Sequence, residues 1–410
     1  MQRRLIRRPQ TRSTYRSRAR WIRSVGTVAA VSLWPWTPAV AGWTGTDLVA
    51  LGSDVEDIAA GDADGDGDQD LFWTGGGGVG YLRNDGGALT TSVTIDGGWY
   101  GRMHAADFDQ DGDADLLVED DGNYLVQFSA DGSGSFDAPM ALWVGMNRAL
   151  SFTSADIDGD GDLEVFTALD MAHGADVHLW YLDMHTSGFD SHPLQEEPSP
   201  YDCRPAGTVD LGDIDGDGDL DLLMSHSGDE SCGTATVSGT VSWYDNNGMS
   251  PLTWATHDVL TTMGAPLTVD GEALLGDVHL ADVDGDDQQD MVLVYSAAPG
   301  ATGTGVGGVD IMFGRGGARF DEPRTLTNVP RGISHSLVRD IDGDGRPDLA
   351  IAAAGRSAWA PNPMATTGDA EIIDDAAGVS RMTTIDLDND GLHELVIADA
   401  AGVRLHRRTP

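Results

Sequence analysis

Carboxylates placed at alternate positions around a glycine can wrap one hard cation in oxygen ligands, and this chain carries that arrangement seven times. Each copy is nine residues long and reads Asp-x-Asp-x-Asp-Gly-x-x-Asp/Glu, with one departure at position 6. The candidate ligands stand at positions 1, 3, 5 and 9. They are Asp62, Asp64, Asp66 and Asp70 in the first cassette, then Asp107, Asp109, Asp111 and Asp115, then Asp156, Asp158, Asp160 and Glu164. The fourth to seventh sets are Asp213, Asp215, Asp217 and Asp221; Asp282, Asp284, Asp286 and Asp290; Asp340, Asp342, Asp344 and Asp348; and Asp386, Asp388, Asp390 and Glu394. Position 7 varies freely, from Asp68 to Gln288, Arg346 and Leu392, as expected where only a backbone carbonyl is used. Glycine at position 6 permits a sharp turn in six copies. The fifth has Asp287 there, so that site is expected to depart most from the rest. The cofactor expected is Ca²⁺, up to seven ions, in a structural role.

An EF-hand needs a bidentate Glu at position 12 of its loop. The residues there are Trp73, Val118, Thr167, Met224, Leu293, Ile351 and Ile397, none of them a suitable ligand. One acidic Asp-Gly turn alone reads equally well as a solvated hairpin; seven with alternating carboxylates do not.

The elements around the cassettes are strands. Short apolar runs follow position 9, such as Leu71-Phe72-Trp73 and Leu116-Leu117-Val118. An alternating stretch precedes each cassette, as in Arg102 to Ala106. A third strand is often aromatic, as at Trp180-Tyr181, and a fourth often opens with Phe-Asp, at Phe136, Phe189 and Phe320. Each unit thus reads strand A, acidic loop, strand B, strand C, strand D. The cassettes start 45 to 69 residues apart. The expected fold is all-β: a seven-bladed β-propeller of four-stranded antiparallel blades over residues 42–410, with a calcium loop between strands A and B of each blade. The seventh unit has no strand D, and an orphan strand at 47–51 precedes the first. It is expected to pair with the last blade and close the ring.

These cassettes and the strands after them resemble FG-GAP/VCBS repeats, the calcium-bearing units of the integrin α-subunit propeller. Phe313-Gly314 is a fragment of the naming motif. The resemblance covers essentially residues 43–410. It implies side-chain ligands at positions 1, 3, 5 and 9 of every cassette. The family includes adhesion receptors, lectin-like proteins and domains attached to polysaccharide-degrading enzymes.

The 410 residues include 67 acids and 24 bases, for a net charge of −43. Every base is arginine, and nine lie within the first 23 residues. Electrostatic binding to nucleic acid or anionic membrane is excluded for the rest. Hydrophobic residues at 40% and 11 tryptophans suffice for a sizeable core.

Residues 1–41 read as an export signal. An Arg-rich stretch from Arg3 to Arg23 precedes an apolar run from Val25 to Trp36, and Ala39-Val40-Ala41 offers a cleavage site before Gly42. Arg3-Arg4 and Arg7-Arg8 leave the general and the twin-arginine routes both open. Pro35, Pro38 and the shortness of the run oppose a membrane-spanning helix. The expected destination is secreted, periplasmic or cell-surface, as a monomer without membrane insertion after cleavage. Cys203 and Cys232 allow one intramolecular disulfide there.

There is no His-Glu-x-x-His, no Gly-x-Ser-x-Gly and no lysine for Schiff-base chemistry. The Gly-x-Gly-x-x-Gly matches at Gly75 and Gly303 read as B–C turns. Long B–C and D–A connections in units 3 to 5 place a protein or glycan ligand on the face opposite the calcium loops. The polar residues of strand A, among them Asp57, Arg102, His104, Asp210, Asp277, His279, His335 and Arg381, either line the central channel or are for the most part satisfied by neighbours or by channel water. The function expected is an exported calcium-binding propeller acting as a ligand-binding or adhesion module for a protein, cell-surface component or glycan. The alternatives are a polysaccharide lyase or hydrolase using the face opposite the calcium loops, and a surface protein without a dedicated pocket.

Overall fold

The apolar run after each cassette becomes the second strand of a four-stranded antiparallel sheet, seven times over. The structure is a computed structural model. It describes residues 42–48, 55–122, 124–142, 148–170, 179–185, 188–194, 206–226, 240–246, 248, 254–258, 273–297, 308–326, 333–353, 356–363, 371–374, 381–399 and 402–408. In the first blade, strands A to D are Val55–Gly61, Asp70–Gly75, Gly78–Asn84 and Leu89–Asp96, each paired with the next. Five further blades repeat that order from first strands at Tyr100–Ala106, Arg148–Ala155, Ala206–Gly212, Ala273–Ala281 and Ile333–Arg339. The chain is an all-β, seven-bladed propeller, and a cassette joins strands A and B in every blade.

The seventh blade takes three strands from the C-terminal end: Arg381–Ile385, Glu394–Asp399 and Gly402–Arg408. Its fourth strand is Trp43–Asp47, antiparallel to the third, with Trp43 opposite Arg408 and Asp47 opposite Arg404. Leu48 extends the pairing by donating its amide to the Val403 carbonyl at 2.9 Å. The strand therefore lies four residues upstream of the expected 47–51 span, of which residues 49–51 fall outside the described residues. Trp43, at the start of the strand, packs on the sixth blade. Its ring meets Trp359 of the sixth blade edge-on at 5.5 Å.

The core is divided into seven clusters, one between each pair of adjacent blades. Leu71, Trp73 and Leu82 of the first blade pack on Leu387, Val396 and Leu405 of the seventh. Phe72 and Tyr81, on the opposite face of the same blade, pack on Leu116 and Phe128 of the second. A blade sandwiched in this way buries both faces of its second strand; every residue of Asp70–Gly75 is buried. Such strands lose their polar alternation and become continuous apolar runs.

One expectation is corrected, in two blades. Phe136 and Phe320 do not open strand D. Each forms an isolated bridge, to Ala130 and Gly314, and the strands begin at Met140 and Arg324. Glycines with positive φ, Gly132 and Gly134 in one blade and Gly316 and Gly317 in the other, turn the chain before those aromatic residues. The proposed Cys203–Cys232 pair, the leader at 1–41 and the long connections around 171–178, 195–205, 227–239, 259–272 and 298–307 lie outside the described residues. Among the described residues no helix is long and apolar enough to cross a membrane.

The polar side chains of strand A bond to the next blade. Asp57 accepts the Met103 amide at 3.2 Å, and Asp210 accepts that of Leu280 at 2.8 Å. Asp277 accepts both the amide and the hydroxyl of Ser336 at 2.8 Å. His104 meets the Ser154 hydroxyl at 2.8 Å, His335 meets the Met382 carbonyl at 3.2 Å, and Arg381 pairs with Asp57 at 3.3 Å. These residues are therefore satisfied by neighbouring blades.

Candidate metal centres

Each cassette is shaped by its own carboxylates. At position 1, Asp62 accepts the amides of Gly65 at 2.8 Å, Asp66 at 3.3 Å and Gly67 at 2.8 Å. Asp282 accepts those of Gly285, Asp286 and Asp287 at 2.7, 3.0 and 2.8 Å, and Asp340 those of Gly343, Asp344 and Gly345 at 2.8, 3.2 and 2.8 Å. The position 5 carboxylate accepts the position 7 amide in all seven loops. A short side chain that bonds to the following backbone stabilises a turn of this kind.

The turn needs two left-handed residues. Position 6 has positive φ throughout, from 64° at Asp287 to 102° at Gly112. Position 4 does as well, including Gln110 at 61° and Asn389 at 54°. Sequence reasoning found position 6 and missed position 4, although glycine stands there in five copies. The two exceptions reach the neighbouring loop. Gln110 donates to the Gly161 carbonyl and, at 2.8 Å, to Asp162. Asn389 donates to the Gly67 carbonyl at 3.3 Å and to Asp68 at 2.8 Å. The same two positions, 6 and 7, are engaged in both cases.

Position 9 is a brace as well as a candidate ligand. Asp70 accepts the Ala63 amide at 2.9 Å and the Asn84 amide at 2.7 Å, tying the loop to strand C. Asp115, Asp221, Asp290 and Asp348 repeat both bonds, to Phe108 and Ala130, Ile214 and Asn246, Val283 and Gly314, and Ile341 and Asn362. Glu164 and Glu394 accept the amides of Ile157 and Leu387. Burial pushes the carboxyls of Asp70, Asp115 and Glu164 up to about 7, and those of Asp221 and Asp290 up to about 6, with the backbone bonds opposing.

Position 3 is mixed: Asp158, Asp215 and Asp342 accept the position 5 amide at 3.2, 3.1 and 3.2 Å, and three others do not. The Oδ1 atoms of Asp64, Asp109 and Asp284 are buried and have no hydrogen-bond partner. Desolvation first, and then the neighbouring carboxylates, raise the proton affinity of Asp64, Asp109, Asp158, Asp215 and Asp284. A buried acceptor beside other anions, repeated in separate loops, is what a cation would satisfy.

The loops gather the candidate ligands unevenly. Oxygens of Asp62, Asp64 and Asp66 lie within 4.8 Å of one another, as do those of Asp107, Asp109 and Asp111. In the next three loops the set is positions 1, 3 and 9: Asp156, Asp158 and Glu164; Asp213, Asp215 and Asp221; Asp282, Asp284 and Asp290. Two further groups of the same kind exist among the described residues. Arginines stand against some of these carboxylates. Arg83 is 3.2 Å from Asp64, Arg315 is 3.3 Å from Asp286, Arg408 is 2.9 Å from Asp342 and Arg407 is 3.5 Å from Glu394. The arginines of these pairs keep about 41–46% of their side chains exposed, so solvent screens them.

Position 2 was also missed. Ala63, Phe108, Ile157, Ile214, Val283, Ile341 and Leu387 are all buried, and each enters the cluster shared with the following blade. Their apolar character in every copy was the signal.

A family model described as an FG-GAP-like repeat matches residues 62–118, 107–167 and 340–397. No curated protein matches the sequence. Among solved structures, the BP39L lectin from Burkholderia pseudomallei aligns over 87% of this chain and 96% of its own, with 11% identity and a TM-score of 0.56. A Dos1 propeller aligns over 86% of this chain and 78% of its own, with 12% identity and a TM-score of 0.50. At such identities the likeness is one of fold.

Proposed function

We propose that this chain, an FG-GAP repeat β-propeller, is an exported, calcium-stabilised module that binds a protein, cell-surface component or glycan. The observation that carries the calcium reading is the orphaned position 3 oxygen of Asp64, Asp109 and Asp284. The other carboxylates of those loops hold the backbone in shape. The donor set contains oxygen alone, which suits a hard divalent ion. Positions 1, 3, 5 and 9 supply the side-chain ligands, 28 residues from Asp62 to Glu394. A bound ion neutralises the clustered carboxylates. At about 100-fold excess over its dissociation constant, each would stabilise the fold by about 2.7 kcal/mol.

Export rests on the Arg-rich leader and cleavage motif, and it would deliver the chain to a calcium-rich compartment. A rigid ring with turns at both ends suits presentation of a binding surface. Among the described residues, the strand A candidates Arg381, His335, Asp57 and Asp277 are engaged in bonds between blades. The test is thermal unfolding in calcium and in EDTA. A large fall in melting temperature on chelation is expected; identical curves would remove calcium from the account. The intact chain should then be incubated with a polysaccharide panel and the chain lengths measured. Unchanged lengths accompany binding alone, and shortened chains would make the protein a lyase or hydrolase.

A further inference from the structure

The junction of blades 4 and 5 is open where the corresponding junction of blades 1 and 2 is filled. In blade 1, Tyr81 on strand C stands opposite Val93 on strand D. Its hydroxyl donates to the Gly134 carbonyl of blade 2 at 3.0 Å, and its ring packs on Phe72 and Phe136. A Cβ on Gly134 would collide with that hydroxyl. In blade 4 the equivalent strand C position is Trp243, opposite His257. The equivalents of Gly134 and Phe136 are Ala318 and Phe320. The result is a groove of about 800 Å³, a size ordinary for small-molecule sites.

The groove is built on both sides. The His257 ring stacks on Trp243 at 4.4 Å and 26°, and Trp243 itself is buried. His257 keeps 42% of its side chain exposed and reaches Asp245 at 3.4 Å. The facing wall is the C–D loop of blade 5, tied down by the Gly317 amide on the Asp215 carbonyl at 2.8 Å. Ala318 sits there with φ of 55°, where its counterpart in blade 2 is a glycine. A non-glycine residue in that region is strained, and strain of this kind collects at binding sites. Arg319, Glu322, Asp215 and Asp245 line the rim.

We infer that this groove is a binding site for a neutral saccharide, placed on the side of the calcium loops rather than opposite them. The inference rests on the ligand-binding reading above and gives it a location and a ligand class. An apolar wall of Ala318 and Phe320 beside an exposed imidazole face suits the C–H faces of a sugar ring. Sugar hydroxyls both donate and accept. The groove offers acceptors in Asp245 and Glu322, and donors in Arg319 and His257. A uronic acid or phosphate would meet a net negative rim. Asp321, also on the rim, is already paired with Arg315 at 2.9 Å.

Calorimetry on the full, calcium-loaded chain tests this with neutral oligosaccharides ending in glucose, galactose, mannose or N-acetylglucosamine, with uronic-acid oligosaccharides, and with an arginine-rich peptide. Binding of a neutral sugar, weakened about tenfold or more by His257→Ala and by Arg319→Ala at unchanged melting temperature, is the expected result. Arg319 is exposed, so its variant keeps the test valid if the histidine variant misfolds. Neutral sugar binding that both variants retain would overturn the groove and leave the ligand-binding reading standing. Binding only of the acidic sugars or of the peptide would overturn the ligand class. Failure of every probe would overturn the inference and remove glycans from the proposed function.

Discussion

Asp287 holds a backbone angle that a side chain disfavours. Its φ is 64°, in the fifth cassette, where the other six have glycine. Position 1 of that loop, Asp282, still accepts its amide at 2.8 Å, so the turn closes in the same way. Asp287→Gly should therefore raise stability by about 0.5–1 kcal/mol through relief of left-handed strain, offset in part by glycine's greater chain entropy. A thermal melt reads this directly, and a lower melting temperature would contradict it. Gln110 and Asn389 carry the same strain at position 4 but gain bonds to the next loop in return. A second residue-scale expectation follows from the orphaned oxygens. Asp109→Asn should lower the calcium stoichiometry measured by calorimetry by one ion, because an amide supplies one weaker acceptor in place of a charge. Unchanged stoichiometry and affinity would place the ligand elsewhere.

The cassette as an element responds to pH in a direction set by whether it holds a cation. Without calcium, burial pushes Asp70, Asp115 and Glu164 up to about 7 and Asp221 and Asp290 up to about 6. Their values in the unfolded chain lie near 4. Between about pH 4 and 7 the folded state thus holds protons that the unfolded chain has released. That contribution to stability is fully present below about pH 4 and is lost as pH rises through 6 to 7. Calcium requires the ionised carboxylates, so the loaded form, deprotonated like the unfolded chain, keeps its stability over the same interval while the calcium-free form loses it. Buried His104, pushed down to about 4, destabilises both forms below about pH 6.5 and cancels in their difference. The gap in melting temperature between calcium and EDTA should widen from pH 5 to 7.5. A gap that stays constant would mean that these carboxyls do not titrate with calcium. The cassette itself was legible in the sequence because its carboxylates and glycine obey local turn chemistry. Its position 9 brace was not, since Asp221 meets the Asn246 amide 25 residues away in another strand.

At the scale of the whole molecule, stability depends on the ring being closed. Seven inter-blade clusters share the core, and the cluster of Leu71, Trp73, Leu387 and Val396 exists only because the first blade meets the last. Strand Trp43–Asp47 covers the outer edge of the last blade, and Trp43 reaches Trp359, which Arg408 also covers at 4.6 Å. Removing residues 42–48 would expose that sheet edge and uncover Trp359. A marked drop in melting temperature is expected for the deletion. Trp43→Ala alone should cost about 1–2 kcal/mol, from the aromatic pair and its partial burial. A deletion that melts like the intact chain would show that the seventh blade holds with three strands.

Seven cassettes at blade-like spacing, apolar runs after each and a missing last strand D determined the number of blades, the strand order and the candidate ligands. These features recur because every blade meets the same local demands: a sharp acidic turn and a strand buried on both faces. Only the tertiary structure decided where the closing strand begins, what the position 2 residues touch and where a groove stays open. Those depend on residues brought together across blades, as when Asn84 donates to the Leu387 carbonyl, 303 positions away, at 2.9 Å. Periodicity records what the blades share. Whether Tyr81 fills a junction, or Trp243 and His257 leave one open, depends on the particular side chains that two blades present to each other.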